Sequence, residues 1–364
     1  MGSRLRPLYD RLYIRVETLL LARDANRSNR AYAAGVSPIA TLDEDYRSIV
    51  RPYWKQFKVR IPKKYSFRLY SSTDKGLADH VDPRYIPDTL WFDRIIPHYN
   101  NLIFAKALQD KCMLNLLFPD VRRPVTVVKN IAGVFYDDGL NLLTRAEAAA
   151  RVPGHGRIIV KPSVSTGEGH NIRFFDSDTM TPAEAEAVFD QYGRNFVIQE
   201  KMAQHPDLAR LNPDSLNSVR VITLLKDDRV HILTPILRVG GPKSEIDNIS
   251  QGGFQGSILP DGHLAPRGFT HRNNCWEFSS EYPNGIRFAD VVIPSYDRVI
   301  STAEKLASRM GHFRIIGWDL AVAPDGEVVL VEFNVIPEQN QETTGPTFGD
   351  LTDEVLADVF GRRS

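Results

Sequence analysis

Residues 318–337 read WDLAVAPDGEVVLVEFNVIP, two apolar runs joined by Pro324, Asp325 and Gly326. Pro-Asp-Gly is turn chemistry, and the flanking runs are strand-like, so the stretch predicts a hairpin. Side chains two apart on a strand share a face. Glu332 and Asn334 therefore point the same way, and the hairpin brings Asp319 alongside them from the partner strand. A carboxylate among such apolar neighbours costs several kcal/mol unless it is compensated. A hard divalent cation offsets that cost, since Mg2+ takes one or two protein carboxylates and completes its shell with phosphate oxygens and water. An arginine pairing with Glu332 at the strand end offsets it equally well, and the hairpin alone does not decide between them.

The chain has 364 residues, 42% of them hydrophobic, which suits two or three lobes with a large core and excludes a disordered or fibrous protein. Cys112 and Cys275 stand far apart without metal-ligand spacing, so neither a disulfide framework nor a zinc site is expected. The first residues lack the apolar core of a signal peptide, and no window approaches the roughly 18 apolar residues of a membrane span. A cytoplasmic protein is the expectation. Arg6 stands where a myristoylation motif wants Ser or Thr. Net charge is zero overall, yet residues 1–70 hold 15 Lys+Arg against 6 Asp+Glu, leaving 30 against 39 in the remainder. That basic segment suits an anionic substrate, a phospholipid surface or the acidic remainder of its own chain.

Leu5, Leu8, Leu12, Val16, Leu19 and Leu20 recur at helical spacing with arginines between them, predicting a basic amphipathic helix whose apolar face docks on something. Residues 36–100 read as short helices and irregular segments. NLIFAKALQDKCMLNLLF (101–118) predicts a helix, followed by a strand at PVTVV. TRAEAAARV is a second helix, and RIIVKPSVSTGEGHNIRFF is a hairpin with a long polar tip. Thr181 and Pro182 open a further helix that Gly193 stops. FVIQEKM is a strand, SVRVITLLKDDRVHILTPILRVGG is two strands joined through Asp227 and Asp228, and VVIPSYDRVISTAEKLASRMG is a helix ending at Gly311. No internal repeat occurs.

Two further constellations accompany the terminal hairpin. Lys161 ends the strand of Ile158, Ile159 and Val160. The loop SVSTGEG beyond it combines hydroxyls with Gly167 and Gly169, whose backbone N–H groups can approach phosphate oxygens closely. It is neither a Walker loop nor a Rossmann fingerprint, and an exposed hairpin tip explains it equally. In FVIQEKMAQHPD an apolar strand is interrupted by Gln199, Glu200 and Lys201. A strand-to-loop crossing offers backbone donors and acceptors to an adenine, and Asp207 is placed to accept from ribose hydroxyls.

In this order, these elements resemble the ATP-grasp superfamily over about residues 100–345, with WDLAVAPDGEVVLVEFNVIP the most specific part. The resemblance implies an α+β ATP-grasp fold, two α+β lobes clasping ATP, with an N-terminal, mostly helical, basic segment. It divides the chain into residues 1–100, a small lobe at 101–200 with the phosphate loop, and a large lobe at 201–364 with the metal site. Carried over, Lys111 (with Lys106 its neighbour) and Lys161 contact ATP phosphates together with Ser163, Ser165, Thr166, Gly167 and Gly169. Glu200, Lys201 and Met202 form the adenine hinge, with Asp207 near ribose, and Asp319, Glu332 and Asn334 bind Mg2+, for which Mn2+ can substitute. Within the superfamily, LNSVRVITLL, NISQGGFQG and EFNVIPEQNQ look most like the sugar-transfer-associated ATP-grasp proteins, found among genes for surface polysaccharide synthesis. Many ATP-grasp ligases carry an arginine two residues before the first metal Asp. Here that position is Gly317, which makes Arg220 or Arg238 the candidate replacement.

The implied activity is an ADP-forming carboxylate-amine ligation through an acyl phosphate, with Arg220 and Lys161 as catalytic residues and small-molecule or sugar-linked carboxylates and amines as substrates. Phosphoryl transfer to a hydroxyl, and a non-catalytic nucleotide-binding partner of a glycosyltransferase system, are the alternatives. Asn217, Ser218 and His170 are substrate-contact candidates or plain structural residues. No RNA-binding motif accompanies Tyr53, Trp54 and Tyr65, so nucleic acid is not an expected partner. Peripheral membrane contact through the basic first helix is a further expectation.

Overall fold

A computed structural model describes residues 5–35, 38–73, 80–164, 171–272 and 275–362, without the side chains of 5–11, 71–73, 106, 107, 250, 272, 275 and 276. Of the expected phosphate loop, Ser165, Thr166, Gly167, Gly169 and the adjoining His170 lie outside the described residues, as does the Lys106 side chain. Two antiparallel sheets dominate. The first contains β1 (Thr126–Ile131), β2 (Val134–Tyr136), β3 (Leu142–Leu143), β4 (Arg157–Pro162), β5 (Arg173–Asp176) and β6 (Phe196–Glu200), in the order β3-β2-β1-β6-β4-β5. The second contains β7 (Ser218–Lys226), β8 (Arg229–Val239), β9 (Phe254–Ile258), β10 (Leu264–Arg272), β11 (Cys275–Ser279), β12 (Ile315–Val322) and β13 (Val328–Asn334), in the order β11-β10-β9-β8-β7-β12-β13.

Local chemistry accounts for the covering helices. Thr144 and Thr181 each close a reciprocal capping box, with Glu147 and Glu184 respectively, at the starts of Arg145–Arg151 and Pro182–Tyr192. Ala148, Ala149, Val188 and Phe189 from these helices pack on Val128, Val160 and Phe196 of the first sheet. Helix Tyr296–Arg309 presents Val299, Ala303 and Leu306 to Val219, Val221, Trp318 and Leu320 of the second. Arg220 and Asp319 alternate with those residues and so occupy the opposite face.

That opposite face is shared. Ile222 and Leu224, two and four residues beyond Arg220, join a core with Trp54, Phe57, Trp91 and Ile95 of the N-terminal segment and Val355 and Leu356 of helix Thr352–Phe360. The segment before residue 100 thus caps one end of the large sheet's open face, and the first sheet stands over the other.

Two local expectations are revised. The expected helix over 101–118 is three short pieces, Ala105–Leu108, Lys111–Met113 and Leu114–Leu117. Asp110 takes an extended conformation and accepts from the Cys112 N–H, while the Lys111 N–H donates to the Ser163 carbonyl at 3.0 Å; bonding to β4 replaces helix continuity. The first helix, α1 (Leu5–Gly35), forms as expected, but Leu12, Val16, Leu19 and Leu20 face outward while Thr18, Ala22, Asn29 and Ala33 face the protein.

Candidate active site

Between the sheets lies a cavity of about 290 Å³. Its floor is a row across the large sheet, Glu332 on β13 opposite Asp319 on β12, itself opposite Arg220 on β7. Ser218 and Asn334 flank the row two residues along their strands, and Arg238 on β8 lies opposite Ser218. The small sheet adds Ile159, Lys161, Phe174 and Gln199 as roof. Lys111 enters from the short helix pinned to Ser163, and Lys201 and Met202 close one end where β6 leaves its sheet.

The three side chains expected to converge do so, and charge is densely balanced around them. Arg220, 8% exposed, grips Asp319, 4% exposed, through Nε to Oδ1 and through a terminal nitrogen to Oδ2 at 2.8 Å. Arg238 stands 3.7 Å from the same carboxylate. Lys111 Nζ lies 3.1 Å from Glu332. Burial would raise the Glu332 carboxyl, but Lys111 and Lys161 hold it well below the ordinary carboxylate range. Burial pushes Lys161 down to about 8, against the pull of Glu332 and with help from the Lys111 cation.

Gly317 explains the departure before Asp319. A Cβ there would stand 2.8 Å from Pro337 Cβ and 3.4 Å from Arg220 Cδ. The Arg220 side chain lies across the glycine, bringing a guanidinium from the neighbouring strand to the space beside it.

Asp319, Glu332 and Asn334 form an all-oxygen donor set of two carboxylates and one amide, which suits a hard cation completed by phosphate and water. Among the described residues no group of three or more His, Cys, Asp or Glu is arranged to hold a metal alone. The donor chemistry of the three side chains is compatible with a hard divalent cation.

Of the remaining expected residues, Glu200 lines the cavity and bonds His155 Nδ1 at 2.7 Å, and its N–H donates to the Val125 carbonyl at 2.9 Å. Ser163 is buried at the end of β4 and does not line the cavity. Asp207 is exposed, 3.6 Å from His205, and also stands outside the lining. Asn217 is structural, its amide donating to the Leu208 and Asn212 carbonyls.

Sequence reasoning singled out NISQGGFQG but missed Glu245 and Asp247, which precede it in the loop between β8 and β9. Glu245 bonds Arg157 of the small sheet at 3.0 and 2.8 Å and Lys201 at 3.1 Å, tying the two sides of the cavity. Asp247 accepts from the Ser218 hydroxyl, and burial raises its carboxyl. The signal was the glycine pair at each end, Gly240-Gly241 and Gly252-Gly253. A Cβ at Gly240 would meet the Ile246 carbonyl oxygen at 2.7 Å, and one at Gly253 the Asn248 carbonyl oxygen at 2.7 Å. Only glycine lets this loop fold back into the cleft.

The sequence profile of the sugar-transfer associated ATP-grasp family matches residues 93–343. Among solved structures, D-alanyl-alanine synthetase A from Vibrio cholerae is similar at 13% identity and TM-score 0.41, covering 69% of this chain and 64% of that one. VanG D-Ala:D-Ser ligase from Enterococcus faecalis is similar at 15% and 0.38, covering 74% and 63%. A biotin carboxylase from Campylobacter jejuni, solved as a β-γ-ATP complex, is similar at 14% and 0.40, covering 70% and 47%. The chain thus spans less than two thirds of each of these three. No curated protein sequence matches it significantly.

Proposed function

Because the chain belongs to the sugar-transfer associated ATP-grasp family, we propose that it binds MgATP in the cleft and spends the γ-phosphate to join a carboxylate to an amine, one of them sugar-linked, in surface polysaccharide or sugar-precursor modification. The observation that carries this reading is the gathering of Lys111, Lys161, Arg220, Asp319, Glu332 and Asn334 around one cavity from five separate stretches of chain.

In this reading the apolar end, lined by Ile159, Phe174, Met202 and Val331, takes the adenine, beside backbone groups of residues 200–202. Lys111 and Lys161 take the phosphates; Lys111 leaves Glu332 for a stronger anion. Asp319, Glu332 and Asn334 would hold Mg2+, which would supply charge neutralisation for the transferring phosphate. Arg220 presents a planar guanidinium at the reacting end, suited to a carboxylate and then to an acyl phosphate. Positioning and charge neutralisation are what such a transfer needs, and these side chains supply both. Asp247 offers an anion for the incoming ammonium.

The test is phosphate release from MgATP with paired carboxylates and amines, including uronic-acid sugars, with hydroxylamine as a general trap. A hydroxamate together with ADP supports the ligase. A phosphorylated hydroxyl product formed without amine dependence would replace it with a kinase. Release that survives Glu332→Ala would refute the metal assignment.

A further inference from the structure

The helix α1 wears its side chains inside out. On its outer face Leu12, Val16, Leu19 and Leu20 are 61%, 50%, 45% and 54% exposed, whereas Thr18 and Asn29 on the inner face are 2% and 9% exposed. Folding ordinarily buries leucine before threonine or asparagine. Among the described residues these two turns hold the densest group of exposed large apolar side chains. The inner face is committed elsewhere. Asn29 donates to Asp88 at 2.6 Å, Tyr65 bonds Asn26, and Arg15 reaches Asp93 at 2.8 Å.

Cations continue the outward face. Arg23, Arg27 and Arg30 are exposed one to three turns beyond the leucines, with Asp24 the exposed acid among them. The first 35 residues carry seven arginines against three acids. Charge selects the occupant of this face. In an antiparallel pair of α1 helices centred on Val16, Arg23 and Arg27 would lie beside the turns carrying Arg11 and Arg6 of the other copy, with Asp10 the one acid between those two arginines. In a parallel pair each arginine would face its own equivalent. Both arrangements set like charges together. A layer of anionic headgroups over acyl chains complements both halves, the leucines entering the chain boundary and the arginines meeting the headgroups. From Leu12 to Leu20 the helix runs about 12 Å at about 1.5 Å per residue, enough to lie in the interface. No described helix is long and apolar enough to cross a membrane.

We propose that the outer face of α1 docks this protein on an anionic lipid surface. The helix is linked to the cleft wall, because Asp88 accepts from Asn29 on one side and from Gln339 at 2.5 Å on the other, next to cavity-lining Glu338. Docking would therefore tether the body that carries the cleft to the bilayer, whichever ATP chemistry it performs.

Vesicle flotation of the full chain tests this, using phosphatidylcholine vesicles with and without phosphatidylglycerol. Expected is binding that requires phosphatidylglycerol, weakens at least tenfold in 0.5 M salt, and falls at least tenfold in the Leu12→Ser/Val16→Ser/Leu19→Ser/Leu20→Ser variant and in Arg23→Ala/Arg27→Ala. Thermal melting and MgATP binding should match wild type in both, since none of these side chains packs inward. Failure of the wild-type chain to float overturns the proposal. Flotation that survives the serine variant removes α1 as its cause. A wild-type dimer in light scattering that the serine variant alone dissociates, without flotation, assigns the face to a second copy and overturns the lipid assignment.

Discussion

Arg220→Met separates the buried ion pair from the rest of the cleft. Methionine keeps most of the side-chain bulk but leaves Asp319, 4% exposed, without the guanidinium that meets both its oxygens. Removing one member of a buried pair costs about 3–5 kcal/mol, because the survivor is an uncompensated charge. Arg238, already 3.7 Å away, remains as partial compensation and places the expectation at the low end, about 3 kcal/mol, or roughly 150-fold in the folded-to-unfolded ratio. Adding Asp319→Leu removes the orphaned charge, and the double variant should return to within about 1 kcal/mol of wild type while staying inactive. Urea unfolding followed by tryptophan fluorescence reads this, with buried Trp318 adjacent to Asp319. A single variant that loses under about 1 kcal/mol, or a double variant as unstable as the single, would show that the pair does not bear the burial cost assigned to it.

Lys161 is a cation in the fold only below about pH 8, so ADP affinity measured by calorimetry should fall as pH rises through 8, and Lys161→Met should bind weakly at every pH. The unfolded chain keeps this proton up to about 10.5, so stability of the free protein should rise between pH 8 and 10.5, a slope that Lys161→Met abolishes. Glu342 has the opposite sign. Burial raises its carboxyl to about 8, so the folded state holds a proton that the unfolded chain releases above 4.5, and stability falls between pH 4.5 and 8. Glu342→Gln should flatten that fall and raise the melting temperature at pH 8. Gly317→Ala should cost about 1–3 kcal/mol by overpacking against Pro337 and should displace Arg220, lowering turnover more than nucleotide affinity. Asp247→Asn should raise the amine KM at least tenfold yet leave hydroxamate formation with hydroxylamine intact; equal losses in both would remove Asp247 from amine recognition.

The parts of this molecule legible in its sequence are those whose causes are local. Asp227 and Asp228 join β7 to β8 at φ of 50° and 57°, and Gly326 turns β12 into β13 at 78°, because short polar residues and glycine tolerate a left-handed backbone. From that hairpin and the alternation of side chains, Asp319, Glu332 and Asn334 could be placed on one face without coordinates. What stayed hidden depends on partners distant in the chain. The helix expected at 101–118 breaks because Lys111 prefers a carbonyl 52 residues away at Ser163, and no window of local propensity contains that bond. The arginine weighed as a partner for Glu332 lies instead on Asp319, and a lysine takes Glu332. Arg220 compensates Asp319, Lys111 compensates Glu332, and both compensating groups line the cavity, where under the proposed function a nucleotide's phosphates and metal would exchange with them. Such a site is held together when empty by the same charges it would use when filled. Under the proposed function its affinity for MgATP would be a difference between two sets of ion pairs, so single substitutions of Lys111 and Glu332 should be strongly non-additive. Each removes the other's resting partner, and the double variant Lys111→Met/Glu332→Gln should be more stable than either single variant while binding MgATP no better.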